Sequence, residues 1–244
     1  MDNLIVYKSP FQKIRIGNKG DGGYVISDLP GDYDALISGG IADDISFEQE
    51  FLDKYSDTQC IAFDGTINRL PISDPRITFI CKNLGGESSH YITNLDDYLD
   101  SFENVFLKLD IEGAEFSLIP SLLGENMKKV KQLVIEVHTP TDGGQFNDFC
   151  IEVGEKSGNV LFNLLAQINT THTLVHVHGN NGGPYFIRDG VNIPLLLECT
   201  FIRNDFVDTQ EKNTVPFPTE LDYKNVLRNT VDHCLKDYPY SEEV

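Results

Sequence analysis

From residue 34 onward the chain alternates short β-branched runs with stretches of helical periodicity, and that alternation narrows the folds open to it. The runs are "DALIS" (34–38), "QCIAFD" (59–64), "RITFICKN" (76–83), "NVFLKLD" (104–110) and "QLVIEVH" (132–138). Between them lie "SFEQEFLDKY" (46–55), with Phe47, Phe51 and Leu52 at helical spacing and Ser46 as its N-cap, and the helix-like "NLDDYLDSF" and "EFSLIPSLLGENMKKV". Pro120 should start or kink a helix in the last of these. "FNDFCIEVGEKSGNVLFNLLAQI" reads as a helix bent or broken around Gly154 and Gly158. Two further strands, "HTLVHVHG" and "PLLLECTFIRN", are joined through a Gly/Asn-rich link and should pair antiparallel at the end of the sheet. Strands alternating with helices predict an α/β fold, a mostly parallel sheet with helices on both faces.

A chain of 244 residues suffices for one sizeable core, so residues 1–244 are expected to form one domain. Within it, 1–33 is a lead-in, 34–205 the core sheet and 206–244 an extension with a short helix and a tail. The net charge of −19 would repel phosphate backbones and anionic membranes, so nucleic acid is not an expected partner. The densest basic run, "MKKVK" (127–131), reads as the solvated end of a helix. Cys60, Cys81, Cys150, Cys199 and Cys234 form no CxxC pair and suit a reduced compartment. No apolar run approaches the ~18 residues of a membrane span, and the N-terminus lacks a signal-peptide core. A cytoplasmic location, or a host cytoplasm, is the expectation.

In an open parallel sheet, ligands bind beyond the carboxyl ends of the strands, so the residues there carry the functional reading. Gly39 and Gly40 follow the first run in "SGGIADDISFE", where the backbone can approach a ligand and a helix start offers free N–H groups. Asp43 and Asp44 beside a pyrophosphate would be costly, which disfavours NAD. Asp64 ends the second run, where an acid can grip ribose hydroxyls or form a turn. Asn83 ends the third and could meet an adenine edge or make an Asx-turn. In the fourth, alternation puts Phe106, Lys108 and Asp110 on one face and Leu107, Leu109 and Ile111 on the other. A buried Lys108 needs an acidic partner, with several carboxylates close in sequence. Val134, Glu136 and His138 share a face of the fifth run. His176 and His178 alternate with Val175 and Val177 in the sixth, ahead of Asn180 and Asn181.

"KLDIEGAEFSLI" (108–119), with "GDGGYVI" (20–26), "SGGIADDISFE" (38–48), "AFDGT" (62–66), "KNLGG" (82–86) and "VIEVH" (134–138), resembles the FkbM-like class of S-adenosylmethionine-dependent methyltransferases over roughly residues 12–140. The resemblance implies a Rossmann-like class I methyltransferase sheet of seven strands, the last antiparallel, with the cofactor at the Gly39–Gly40 turn and Asp64 on its ribose. It implies methylation of a sugar hydroxyl, in a glycan, glycoconjugate or nucleotide-linked sugar, and it places Asp21 on a segment folding over the cofactor.

A sugar hydroxyl needs a positioned base or a metal to lower its pKa. His138 is the candidate base, with Glu136 or Asp110 fixing its tautomer; Asp110 is also a candidate cofactor contact. Alternatively Asp110, Glu136, His138 and His178 hold Mg²⁺ or Mn²⁺ through oxygen and imidazole ligands. Glu112 and Glu115 are expected to cap the following helix. Two other readings stand beside this one: a metal-dependent hydrolase using the same cluster, and a non-catalytic glycan-binding module.

Overall fold

The computed structural model describes residues 1–141, 155–228 and 231–242. Its centre is a seven-stranded sheet: β1 (Ala35–Gly39), β2 (Gln59–Phe63), β3 (Ile77–Ile80), β4 (Val105–Leu109), β5 (Val130–His138), β6 (His172–Gly179) and β7 (Leu196–Arg203). The spatial order is β3-β2-β1-β4-β5-β7-β6. The first five strands run parallel, and β7 is antiparallel to both β5 and β6. This is the expected mostly parallel sheet with an antiparallel last strand.

Alternation along β4 sorts its residues as the sequence implies. Leu107 and Leu109 join Leu133, Ile135 and Val137 of β5 in one core, and Phe106 joins Val134 in the other. The first core is covered by helices α3 (Glu115–Leu122), α4 (Glu125–Lys129) and α5 (Glu155–Asn169). α1 (Ser46–Lys54) and an N-terminal hairpin, Lys13–Ile16 with Tyr24–Ser27, cover the second, where Tyr33, Phe47, Phe51 and Phe106 pack ring against ring.

Several local expectations are corrected. Ser46 is the first residue of α1, not its cap; the carboxylate of Asp44 accepts its N–H at 2.8 Å and its hydroxyl at 2.9 Å. "NLDDYLDSF" supplies only a four-residue helix, α2 (Asp96–Leu99). Pro120 sits inside α3; the break falls at Gly124, whose φ of +93° favours glycine. α5 runs through Gly158, and the bend expected at Gly154 lies outside the described residues. Lys131 is buried rather than solvated, its Nζ donating to the carbonyls of Pro30, Gly31 and Asp32. Among the described residues the C-terminal extension holds no α-helix after the 3₁₀ turn Asn204–Phe206; a bridge from Tyr7 to Lys212 ties it to the N-terminal segment, and one from Phe217 to Leu235 ties it to itself. Cys60 and Cys199 are buried while Cys81 and Cys234 are exposed; Cys150 lies outside the described residues. No described helix is long and apolar enough to cross a membrane.

Candidate active site

Strand order reverses between β1 and β4, and in an open parallel sheet the region beyond their carboxyl ends is where a ligand binds. The Asp110 N–H donates to the Gly39 carbonyl and the Gly40 N–H to the Phe63 carbonyl, each at 3.0 Å, so the glycine turn is stitched to both neighbouring strands. A Cβ on Gly40 would run into the Asp110 carbonyl, and one on Gly39 into the Leu84 side chain. Gly40 also holds a φ of +80°. Close packing at the switch point therefore accounts for both glycines.

Lys108 lies beneath this turn. Its Nζ donates to the Gly40 carbonyl at 3.0 Å, stands 3.5 Å from the carboxylate of Glu48 and lies over the rings of Tyr24 and Phe47. The acidic partner comes from α1, not from the carboxylates adjacent in sequence.

Asp64 is buried and its carboxylate is fully engaged. One oxygen accepts the N–H groups of Ile41 and Ala42 at 3.0 and 2.9 Å; the other accepts the N–H and hydroxyl of Thr66 at 2.7 and 2.5 Å. Burial pushes the carboxyl pKa up, but these hydrogen bonds outweigh it and hold it below its usual value. A carboxylate offers about four acceptor sites, so ribose hydroxyls reaching Asp64 would exchange with the Thr66 hydroxyl. The side-chain Oδ1 of Asn83 accepts the Gly65 N–H at 3.0 Å, which fastens the same turn. Asp21 stands in the N-terminal hairpin loop, which Asn18 ties to Asp44 at 2.6 Å.

Beyond β4 the chain makes a tight turn. Glu112 adopts a φ of +55° and Gly113 one of +96°, and a left-handed non-glycine residue costs of order 1–3 kcal/mol unless its surroundings impose it. The turn aims Asp110 and Glu112 at His138, the last residue of β5. Their carboxylate oxygens stand 3.9 and 3.5 Å from His138 Nε2, while Glu115 Oε1 lies 3.1 Å from its Nδ1. Burial works against protonation of His138, but Glu115, Asp110 and Glu112 outweigh it and raise its pKa. The hydrogen-bond partner of the ring is Glu115, while Asp110 stands 3.9 Å away and Glu136 accepts from Asn180. Glu115 also accepts the Ile111 N–H at 3.1 Å, a bond to the preceding turn; it lies in the first turn of α3, but the expected cap is not made, since that helix has no side-chain cap hydrogen bond. Glu112 is exposed and faces the imidazole.

Glu136 and His178 belong to a second cluster. Glu136 accepts from the Asn180 amide at 2.7 Å and pairs across the sheet with Glu198. Burial, then the charges of Asp110 and Glu198, push its pKa well above the carboxylate range. His178 Nδ1 meets Glu198 at 3.0 Å, and its Nε2 stands 3.4 Å from Asp232 without hydrogen-bond alignment. Asn225 donates to Glu198 at 2.6 Å and to Asp21 at 3.2 Å, joining the extension to the hairpin loop. Tyr24 donates its hydroxyl to Asp110 at 3.0 Å, and the charges of Asp110, Glu136 and Glu198 all act on that hydroxyl. The expected metal set therefore divides: Asp110 and His138 converge with Glu112, their ligand atoms within 4.8 Å of one another, while His178 is engaged elsewhere.

A family model for the methyltransferase FkbM domain matches residues 9–183. The chain belongs to that family. A search of curated proteins finds no match. Among solved structures, the chain is similar to a candidate rRNA methylase from Clostridium thermocellum at 11% identity, covering 70% of this chain and 87% of that one with a TM-score of 0.37. It is also similar to the antibiotic-resistance methyltransferase Kmr at 14% identity, covering 77% and 98% with a TM-score of 0.32.

Within this FkbM methyltransferase, the matched span ends before β7 and the extension, so Glu198 and Asn225 fall outside it. Sequence reasoning missed Glu198, Asn225, Tyr24 and the Glu115–His138 contact. Glu198 carried a signal, a charge inside the apolar "PLLLECTFIRN"; Asn225, in an irregular segment, carried none.

Proposed function

We propose that this methyltransferase transfers the methyl group of S-adenosylmethionine to a hydroxyl of a sugar, with His138 as the base. The observation that carries the reading is the convergence of His138 Nε2 with the carboxylates of Asp110 and Glu112 at the carboxyl ends of β4 and β5, where strand order has just reversed between β1 and β4. Three groups that all accept hydrogen bonds when His138 is neutral leave a place for a donor, and an acceptor hydroxyl fills it.

The bound sulfonium would supply an already activated methyl group, so the new O–C bond forms as the S–C bond breaks. The acceptor proton passes to His138 Nε2, and Asp110 and Glu112 stabilise the imidazolium that results. Glu136, Asn180, Glu198 and Asn225 supply carboxylates and amides of the kind that hydrogen-bond sugar hydroxyls. Gly39, Gly40, Asp64 and Asn83 form the cofactor turn, with Asp21 at its rim. The chain's net charge of −19 counts against a polyanionic acceptor.

A second reading shares the same atoms. Asp110, Glu112 and His138 could hold Mg²⁺ or Mn²⁺, a hard cation suited to carboxylate oxygens, which would lower the pKa of a bound hydroxyl.

Calorimetric titration of S-adenosylmethionine and its demethylated product into the wild type and Asp64→Ala, with and without Mg²⁺ or Mn²⁺, tests the cofactor. Micromolar binding weakened in the variant supports the reading, and methyl transfer to a panel of methyl glycosides then tests the acceptor. No binding to folded wild type sinks it in favour of a metal-dependent hydrolase or a silent glycan binder.

A further inference from the structure

The LDIEGAE segment places one carboxylate where no substrate reaches it. Glu115 has no exposed surface, and its Oε1 accepts the Ile111 N–H and lies within hydrogen-bond distance of His138 Nδ1, each at 3.1 Å. Its Oε2 has no hydrogen-bond partner. A carboxylate stripped of water is costly unless hydrogen bonds replace that water, and among the hydrogen bonds described for its side chain His138 is the sole side-chain partner. The acid sits in the first turn of α3, while the backbone N–H it accepts belongs to the turn that carries Asp110 and Glu112. Ring, turn and helix are thus locked through a single oxygen.

We infer that Glu115 is a positioning residue for His138: it holds the proton on Nδ1 and keeps the unprotonated Nε2 facing Asp110 and Glu112. The opposite tautomer would set the Nδ1 lone pair 3.1 Å from a buried carboxylate oxygen and lose the hydrogen bond between the ring and the helix, whereas the Nε2 lone pair meets its carboxylates at 3.5 Å, from the exposed Glu112, and 3.9 Å. The inference rests on the role given to His138 above, and it concerns the ring before any acceptor arrives. It extends the reading of the motif, in which the acid at position 115 was expected only to cap a helix. The left-handed backbone at Glu112 and Gly113 lets the chain turn back sharply enough for one segment to supply both the groups facing Nε2 and the group behind Nδ1. An orienting partner behind an imidazole fixes which nitrogen presents its lone pair.

The test is two-bond ¹H–¹⁵N correlation spectroscopy of the ¹⁵N-labelled full chain in chelator-treated buffer, at a pH where His138 is neutral. The ring is assigned by the signal lost in His138→Gln. In the wild type the Nδ1–H tautomer should dominate. Glu115→Ala should shift the ring toward the Nε2–H form, and Glu115→Gln, oriented with its carbonyl toward the ring, should restore the wild-type pattern in part. An Nε2–H wild type, or a folded Glu115→Ala with an unchanged tautomer, would overturn the inference. If the alanine variant does not fold, the wild-type spectrum alone decides. S-adenosylmethionine titration on the same samples separates the two ideas: absent binding removes the methyltransferase reading and leaves the tautomer result standing.

Discussion

The Nζ of Lys108 lies 3.0 Å from the carbonyl oxygen of Gly40, so a cation on the central strand holds the glycine turn from below. Its countercharge is Glu48, whose Oε1 also accepts the Ser38 hydroxyl at 2.5 Å and whose Oε2 has no hydrogen-bond partner. Removing one member of a buried ion pair leaves the other uncompensated and costs about 3–5 kcal/mol. Lys108→Met should lower the urea midpoint accordingly, and Lys108→Met with Glu48→Gln should recover part of the loss. Equal loss in both variants would remove the pair as the cause.

Asp64 accepts two N–H groups from the glycine turn and two donors from Thr66. Asp64→Asn keeps the volume but replaces an acceptor oxygen with a donor facing backbone N–H groups. Loss of charge-assisted hydrogen bonds should cost about 1.5–3 kcal/mol, read as a lower melting temperature together with weaker S-adenosylmethionine binding. Thr66→Val frees one acceptor on Asp64, so its cofactor affinity should stay equal or rise if ribose hydroxyls replace the threonine.

Glu112 holds a φ of +55°, a conformation glycine adopts without strain. Glu112→Gly should therefore raise stability by about 1 kcal/mol, the lower end of the strain attached to such a residue. The same substitution removes a carboxylate from the neighbourhood of His138. A more stable but less active protein, compared with Glu112→Gln, separates strain from charge.

The His178 pKa is pushed up to about 10: burial opposes protonation, but Asp232 and Glu198 outweigh it. Because the folded-state pKa is raised, the contribution is complete below the ordinary value of 6.5 and is lost as pH rises through about 10. Asp222 works in the opposite direction. Burial raises its pKa, but His176, then the charge of His178 and the Thr219 N–H, outweigh this and lower it to about 2, so its contribution is present above 3.8 and lost as pH falls toward 2. Urea midpoints across pH should fall at both ends, and His178→Gln should flatten the alkaline arm and, by removing one of the charges acting on Asp222, reduce the acid arm to a smaller extent.

The order and type of the core elements were written in the sequence. Apolar runs of strand length, alternation along "NVFLKLD" and polar strand ends are local properties, and Phe106 and Leu107 face opposite cores as a period of two requires. The glycine turn, Asp64 and the family motif were legible for the same reason. Tertiary structure decided the partners. Lys108 pairs with Glu48 across 60 residues because β4 lies beside β1, ahead of α1, and not because carboxylates adjoin it in sequence. His138 and His178 both end strands, yet β7 inserts between β5 and β6 and supplies Glu198, which draws His178 away from Asp110. The left-handed turn at Glu112 brings Glu115 back against His138, a contact no periodicity encodes. Which side chains occupy the strand ends is a local matter; which of them meet depends on strand order and on turns that reverse the chain.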